Sequence, residues 1–198
     1  MSSIRLVNVV LLLMVAGFGC RSKESDSESI RIKPSKARGE ALGRSLLHLA
    51  PNWKVAERLI NEGANVNVQD SFGMTPLHTA VQAGRKDVVE VLVARLADIN
   101  AKSHRGQTPL FWAVAKGRKD IAGRLIAHGA GVNDKDDYGV TPLHSAAHAG
   151  SVGLVELLIG HTADVNTKDN EGRTPMDCAK ASGHNGIIEL LNKHGAEE

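Results

Sequence analysis

Nine histidines stand in this 198-residue chain, and imidazole is both a frequent metal ligand and the side chain best suited to proton transfer near neutral pH. His144 and His148 lie four apart, one helical turn, a spacing that holds zinc when a third ligand is supplied. His144, however, sits in a short string that also surrounds His48 and His78. A structural duty therefore competes with ligation there, and His148 alone is free of it. Asp134-Lys135-Asp136-Asp137-Tyr138-Gly139 is rich in oxygen donors. Tyr138 nevertheless stands where a calcium loop needs a ligand, and no Glu follows at the twelfth place, so a turn is the better assignment. Cys178 has Asp177 and Lys180 as neighbours, which gives no ground for an activated thiol. It is expected to pack as a small apolar residue. The strings GxxxxGK[ST], HExxH, CxxC and GxSxG do not occur. No catalytic residue, resident metal or cofactor is expected.

Composition narrows the architecture that must position these groups. Hydrophobic residues make up 42% of the chain but aromatic residues only 3%. The core must then come from Ala, Val, Ile and Leu, which suits thin, locally packed elements and argues against a large enzyme. A net charge of +2 is too small for a nucleic-acid footprint, and the chain beyond Glu40 carries slightly more acid than base.

Self-comparison supplies those elements. Thr75-Pro76-Leu77-His78 recurs at Thr108-Pro109-Leu110-Phe111, Thr141-Pro142-Leu143-His144 and Thr174-Pro175-Met176-Asp177, always at an interval of 33 residues. A fainter copy is Ser45-Leu46-Leu47-His48. Gly84, Gly117, Gly150 and Gly183 follow each Thr by nine positions. Apolar stripes such as Val88-Val89-Val91-Leu92 come next, and the copies close on Asn67, Asn100, Asn133 and Asn166. Thr is a good helix N-cap, and Pro directly after it costs nothing because its missing N–H would be unpaired anyway. The stretches Asn67 to Gly73, Asn133 to Gly139 and Asn166 to Gly172 suit hairpin-like turns between units.

This pattern resembles the ankyrin-repeat family over about residues 40–198. The resemblance implies an all-α repeat solenoid of helix–turn–helix units joined by hairpin-like loops. Five repeats are expected at 40–69, 70–102, 103–135, 136–168 and 169–198. The first is three residues short around Ala50-Pro51-Asn52-Trp53, as a capping repeat can be. Second helices end in Gly63, Gly129 and Gly195, but in Leu96 and Thr162 elsewhere. If the left-handed geometry is kept, each of these two non-glycine residues costs on the order of 1 kcal/mol.

The N-terminus reads as an address. Residues 1–19 hold Arg5, an apolar run from Val9 to Ala16 and the small residues Gly17 and Gly19, the layout of a secretory signal peptide. Cys20 follows at the switch to polar sequence and resembles the lipid-attachment cysteine of a bacterial lipoprotein, although Gly17 and Phe18 replace the Leu and small residue usual there. An ordinary cleaved signal and an uncleaved anchor are the alternatives. Residues 20–39 form a tether whose later half carries Arg31, Lys33, Lys36 and Arg38. Arg21, rather than Asp, after the cysteine favours an outer-membrane location, facing the periplasm or cell surface; without the lipid the chain would be periplasmic.

The resemblance implies a protein partner, bound on turn tips and the exposed side of first helices. By register these positions include Phe72, Met74, Gln82, His104, Arg105, Gln107, Trp112, Lys116, Asp137, Tyr138, His148, Glu171 and Arg173. Phe72, Trp112 and Tyr138 are three of the five aromatic residues after the signal, and such side chains anchor interfaces. The function expected is a monomeric, exported, membrane-anchored, non-catalytic adaptor. A metal- or small-molecule-binding periplasmic protein and a regulatory subunit of an exported enzyme are the other two readings.

Overall fold

Each Thr-Pro pair starts a helix for the reason its chemistry suggests. In the computed structural model Thr75 is extended (φ −88°, ψ 166°) and Pro76 opens the first turn of a helix that runs to Ala83. The same junction opens helices at Pro109, Pro142 and Pro175. The structure describes residues 46–196. Cys20, the apolar run before it and the tether to residue 39 lie outside the described residues.

After a helical stretch at 46–48, nine α-helices follow among the described residues. They are α1 (Trp53–Asn61), α2 (Pro76–Ala83), α3 (Lys86–Ala94), α4 (Pro109–Ala115), α5 (Lys119–Ala127), α6 (Pro142–His148), α7 (Val152–Gly160), α8 (Pro175–Ala181) and α9 (Asn185–Lys193). The pairs α2–α3, α4–α5, α6–α7 and α8–α9 each form one hairpin, and each hairpin packs on the next. First helices touch their neighbours more extensively than second helices do. Ala80, Ala113, Ala146 and Ala179, fully buried or nearly so, explain that closeness, since a methyl group lets two helix backbones approach. This is the all-α repeat solenoid expected.

One continuous apolar core runs through the stack, with Leu77, Leu92, Leu110, Leu125, Leu143, Leu158, Met176 and Leu191 shielded almost completely. No unit could bury these residues alone, so stability comes from the interfaces between units. The last helix closes the stack by register: Ile187 and Leu191 are buried, while Glu189, Asn192 and Lys193 face water. At the opposite end the short turn is braced from its neighbour. Arg85 donates to the Ala50 carbonyl at 3.0 Å, and Asp87 accepts the Trp53 amide at 3.0 Å. Asn52 caps α1 by accepting the Val55 amide at 3.2 Å.

The two departures at second-helix ends take up the left-handed conformation. Leu96 has φ +60° and Thr162 φ +64°, a region that a side chain bearing Cβ enters at a cost. Leu96 is also 86% exposed, so it recovers no burial in exchange. Leu96→Gly should therefore raise the melting temperature by about 2–4 °C, for roughly 1 kcal/mol. A thermal scan giving an unchanged or lower value would contradict the strain.

Candidate docking surface

The turn tips are built by carboxylates. Asp70 Oδ1 accepts the amides of Phe72 (2.8 Å) and Met74 (2.9 Å), and its own N–H donates to the Met74 carbonyl (2.9 Å). Asp136 and Asp169 repeat this arrangement for Tyr138 and Val140 and for Glu171 and Arg173. With tips numbered by the repeat they open (70–73 the second, 103–106 the third, 136–139 the fourth), Ser103 stands in for Asp in the third, and its hydroxyl accepts the Arg105 and Gln107 amides at the longer distances of 3.4 and 3.3 Å. Successive tips are stitched together: His104 donates to the Phe72 carbonyl, Asp137 to Arg105 and Asn170 to Tyr138, at 2.9, 3.1 and 3.0 Å. The fit is close. A Cβ on Gly73, at φ +71°, would lie 2.6 Å from the His104 amide nitrogen, so only glycine serves there.

Histidines lock the tips to the helices. His78 Nδ1 accepts the Thr75 amide at 3.0 Å, while Nε2 lies 3.0 Å from the Gln107 carbonyl. The bonds assign the neutral tautomer with its proton on Nε2. His144 does the same between Thr141 (3.2 Å) and the Arg173 carbonyl (3.0 Å), and His48 Nε2 reaches the Met74 carbonyl at 2.8 Å. Burial pushes His78 and His144 below the ordinary imidazole value; backbone hydrogen bonding to Gln107 and Arg173 opposes the shift. Phe111 replaces this histidine in α4, and Thr108 there accepts only the Phe111 amide, at 3.3 Å.

A cleft of about 600 Å³ opens between the second and third tips and the helices behind them. Phe72, Met74, Gln82, His104, Arg105, Gln107 and Trp112 all line it, bringing together seven positions assigned by register. Phe72 is 69% exposed, whereas Met74 is only 9% exposed and presents little surface. Asp70, Ser71, Thr79 and Ser103 complete the wall. Of these, Thr79 carried no signal as a lining residue: its hydroxyl donates to the Pro76 and His48 carbonyls, and its register position is that of an ordinary polar helix residue. Trp112 Nε1 is shielded and finds no hydrogen-bond partner among the described residues. Lys116 Nζ lies 5.6 Å from the centre of its ring.

The remaining positions sit farther along the stack. Tyr138 is 62% exposed beside Asp137 on the fourth tip. Arg173 is held by Asp169 at 2.9 Å and Glu171 at 3.3 Å. His148, expected to be free of framework duty, pairs through Nδ1 with Ser182 Oγ at 3.0 Å, and its carbonyl lies 3.1 Å from His184 Nε2. Among the described residues no three His, Cys, Asp or Glu side chains converge on a point where a metal could bind. Cys178 is half-buried against the core, and burial raises its thiol pKa, the reverse of activation. No helix among the described residues is long and apolar enough to cross a membrane.

Comparison with known proteins agrees with this construction. The family model described as "Ankyrin repeats (3 copies)" matches residues 8–103, 46–136 and 125–198. Neurogenic locus notch homolog protein 1 of Xenopus laevis is 42% identical over 52 residues, 25% of this chain and 2% of that protein. Human Rabankyrin-5 is 38% identical over 52 residues, again 25% of this chain and 4% of the relative. Human neurogenic locus notch homolog protein 2 is 37% identical over 59 residues, 28% and 2%. The chain thus spans a few hundredths of the length of these relatives. Ankyrin repeats are protein-interaction modules and generally non-catalytic, and by the extent of the family match this chain belongs to the ankyrin-repeat family.

Proposed function

We propose that this protein is an exported, membrane-anchored and non-catalytic adaptor that holds a protein partner on its turn tips and first helices. The observation that carries the docking face is the cleft, where seven register-assigned positions meet around Phe72 and Trp112. Large, rigid aromatic side chains bury much area with few rotors to freeze, which is what an interface anchor requires. The anchor rests on the abrupt change from the apolar run to polar sequence at Cys20. A lipid on that cysteine, together with Arg31, Lys33, Lys36 and Arg38 near anionic head groups, would supply the two signals that stable membrane attachment needs. Arg21, rather than Asp, after the cysteine supports an outer-membrane position facing the periplasm or cell surface.

A single crosslinking experiment addresses both halves. A photoreactive phenylalanine analogue at position 72 should crosslink one defined protein in the membrane fraction, identified by mass spectrometry. The same probe at position 96 should not. Cys20→Ala should move the chain out of the membrane fraction. Equal crosslinking from positions 72 and 96 would place the interface elsewhere, and membrane retention of Cys20→Ala would remove the lipid anchor.

A further inference from the structure

Three kinds of side-chain tie join one repeat's helices to the next. A histidine of one repeat reaches a tip carbonyl of the following one at three places: His48 to Met74, His78 to Gln107 and His144 to Arg173. The turns between helices supply a second tie, at a register position shared by Arg85, Arg118, Ser151 and His184. Arg85 donates to the Ala50 carbonyl, and His184 Nε2 lies 3.1 Å from the His148 carbonyl. Arg118 covers Gly84 so closely that a Cβ on that glycine would lie 2.9 Å from its guanidinium carbon. Ion pairs along the second helices are the third kind: Arg95 with Glu57, Arg124 with Glu90 and Lys86 with Asp120.

Between the third and fourth repeats all three kinds are missing among the described residues. Phe111, half-buried and outside the core, stands in the histidine position, so the Val140 carbonyl of the fourth tip is left with the Asp136 amide at 3.1 Å. Ser151 is too short to reach back, and Gly117, the counterpart of Gly84 and Gly150, has nothing within 4 Å of where a Cβ would stand. Gly123, Gly153 and Leu157 occupy the register positions of Glu90, Asp120 and Arg124. The bonds that remain lie on the tip side. Asp137 donates to the Arg105 carbonyl at 3.1 Å, Lys135 Nζ to the Lys168 carbonyl at 3.0 Å, and Asn133 accepts the Asp164 amide at 2.9 Å.

We propose that the array is two cooperative units, 46–135 and 136–196, and that the fourth and fifth repeats open together while the first three stay folded. In a linear stack stability is a sum of repeat and interface contributions, so the interface with the fewest ties is where cooperativity breaks. The second unit opens first because it is the shorter stack and has no ion pair between its second helices among the described residues. The Phe72–Trp112 cleft belongs to the first unit and Tyr138 to the second. On the docking reading above, a partner touching both therefore holds the junction closed, and its binding favours the joined state.

Native-state hydrogen exchange of the full-length chain, read by mass spectrometry of peptic fragments, tests the division. Buried amides of α6–α9 should exchange as one group, at least about tenfold faster than those of α2–α5, with the step between α5 and α6. Uniform protection from α2 to α9, or a step at any other junction, would overturn the proposal. Phe111→His together with Ser151→Arg copies the ties that join the second repeat to the third. It should slow exchange in α6–α9 about tenfold and leave α2–α5 within about threefold of wild type. A folded double variant that exchanges like wild type, or that slows both groups equally, would also overturn it. The wild-type pattern decides by itself if the double variant does not fold. No partner enters the measurement, so the division and the docking face fail independently.

Discussion

His78→Ala should lower the melting temperature by about 6–12 °C at pH 7.5, corresponding to a loss on the order of 3 kcal/mol. The imidazole is fully buried and makes three contacts that alanine cannot. It accepts the Thr75 amide at the start of α2, meets the Thr75 hydroxyl at 2.9 Å and reaches the Gln107 carbonyl of the next repeat. Truncation leaves the buried Thr75 amide unmatched, strips the Gln107 carbonyl of one of its two donors (the Ser103 amide remains at 3.0 Å) and opens a cavity in the core, and each effect is costly separately. The consequence reaches the docking face, because Gln107 belongs to the tip that carries His104 and Arg105. That tip lacks the Asp of its neighbours, so the bond from His78 is one of its principal constraints.

The same geometry sets a pH dependence. Neutral imidazole is required, since Nδ1 must keep a lone pair for the Thr75 amide. Burial lowers the His78 and His144 pKa values in the folded chain, while unfolded imidazole titrates near 6.5. The unfolded state therefore binds more protons as pH falls below about 6.5, and folding stability falls with it until the lower folded values are passed. The pKa values of Asp120, Asp169 and Asp177 are lowered as well, but the stability linked to them is lost only below about pH 4. Thermal scans from pH 7.5 to 5 separate the two windows. Wild type should lose stability over this range and His78→Ala should lose less of it. Parallel curves would contradict the role given to the buried imidazole.

Much of this scaffold was legible because its repeats are made by local chemistry. Thr75, Pro76 and His78 form one cap within four residues, and a 33-residue echo marks each place where that cap recurs. Leu96 and Thr162 stood out as replacements for glycine, and their positive φ angles follow from the same register. Local reading stops where a partner lies one repeat away. Nothing near His148 points to Ser182, 34 residues later. Residues at Ser103 and Thr79 read as ordinary turn and helix positions, and only the stacking of tips places them in one wall. Trp112 was legible as a first-helix aromatic residue, but the unmatched state of its N–H depends on what surrounds it in three dimensions. Register assigns a residue to a face; the depth of a cleft comes from the spacing of neighbouring tips.

The second large effect concerns that cleft and its flank. Trp112 and Arg105 line it, and Tyr138 extends the surface onto the fourth tip. Interface energy concentrates in a few aromatic and arginine anchors, each worth about 2 kcal/mol or more when truncated. Removing three together should weaken partner binding by more than about a thousandfold. The fold should survive, because Arg105 and Tyr138 are exposed and Trp112 is partly so, while the core leucines behind them are untouched. The most direct measurement is the affinity of the crosslink-identified partner for the triple variant Arg105→Ala, Trp112→Ala, Tyr138→Ala, taken alongside its circular dichroism spectrum and melting curve. A folded variant that no longer binds is the outcome expected of a docking face built from the tips and first helices. A folded variant that binds as tightly as wild type would contradict it.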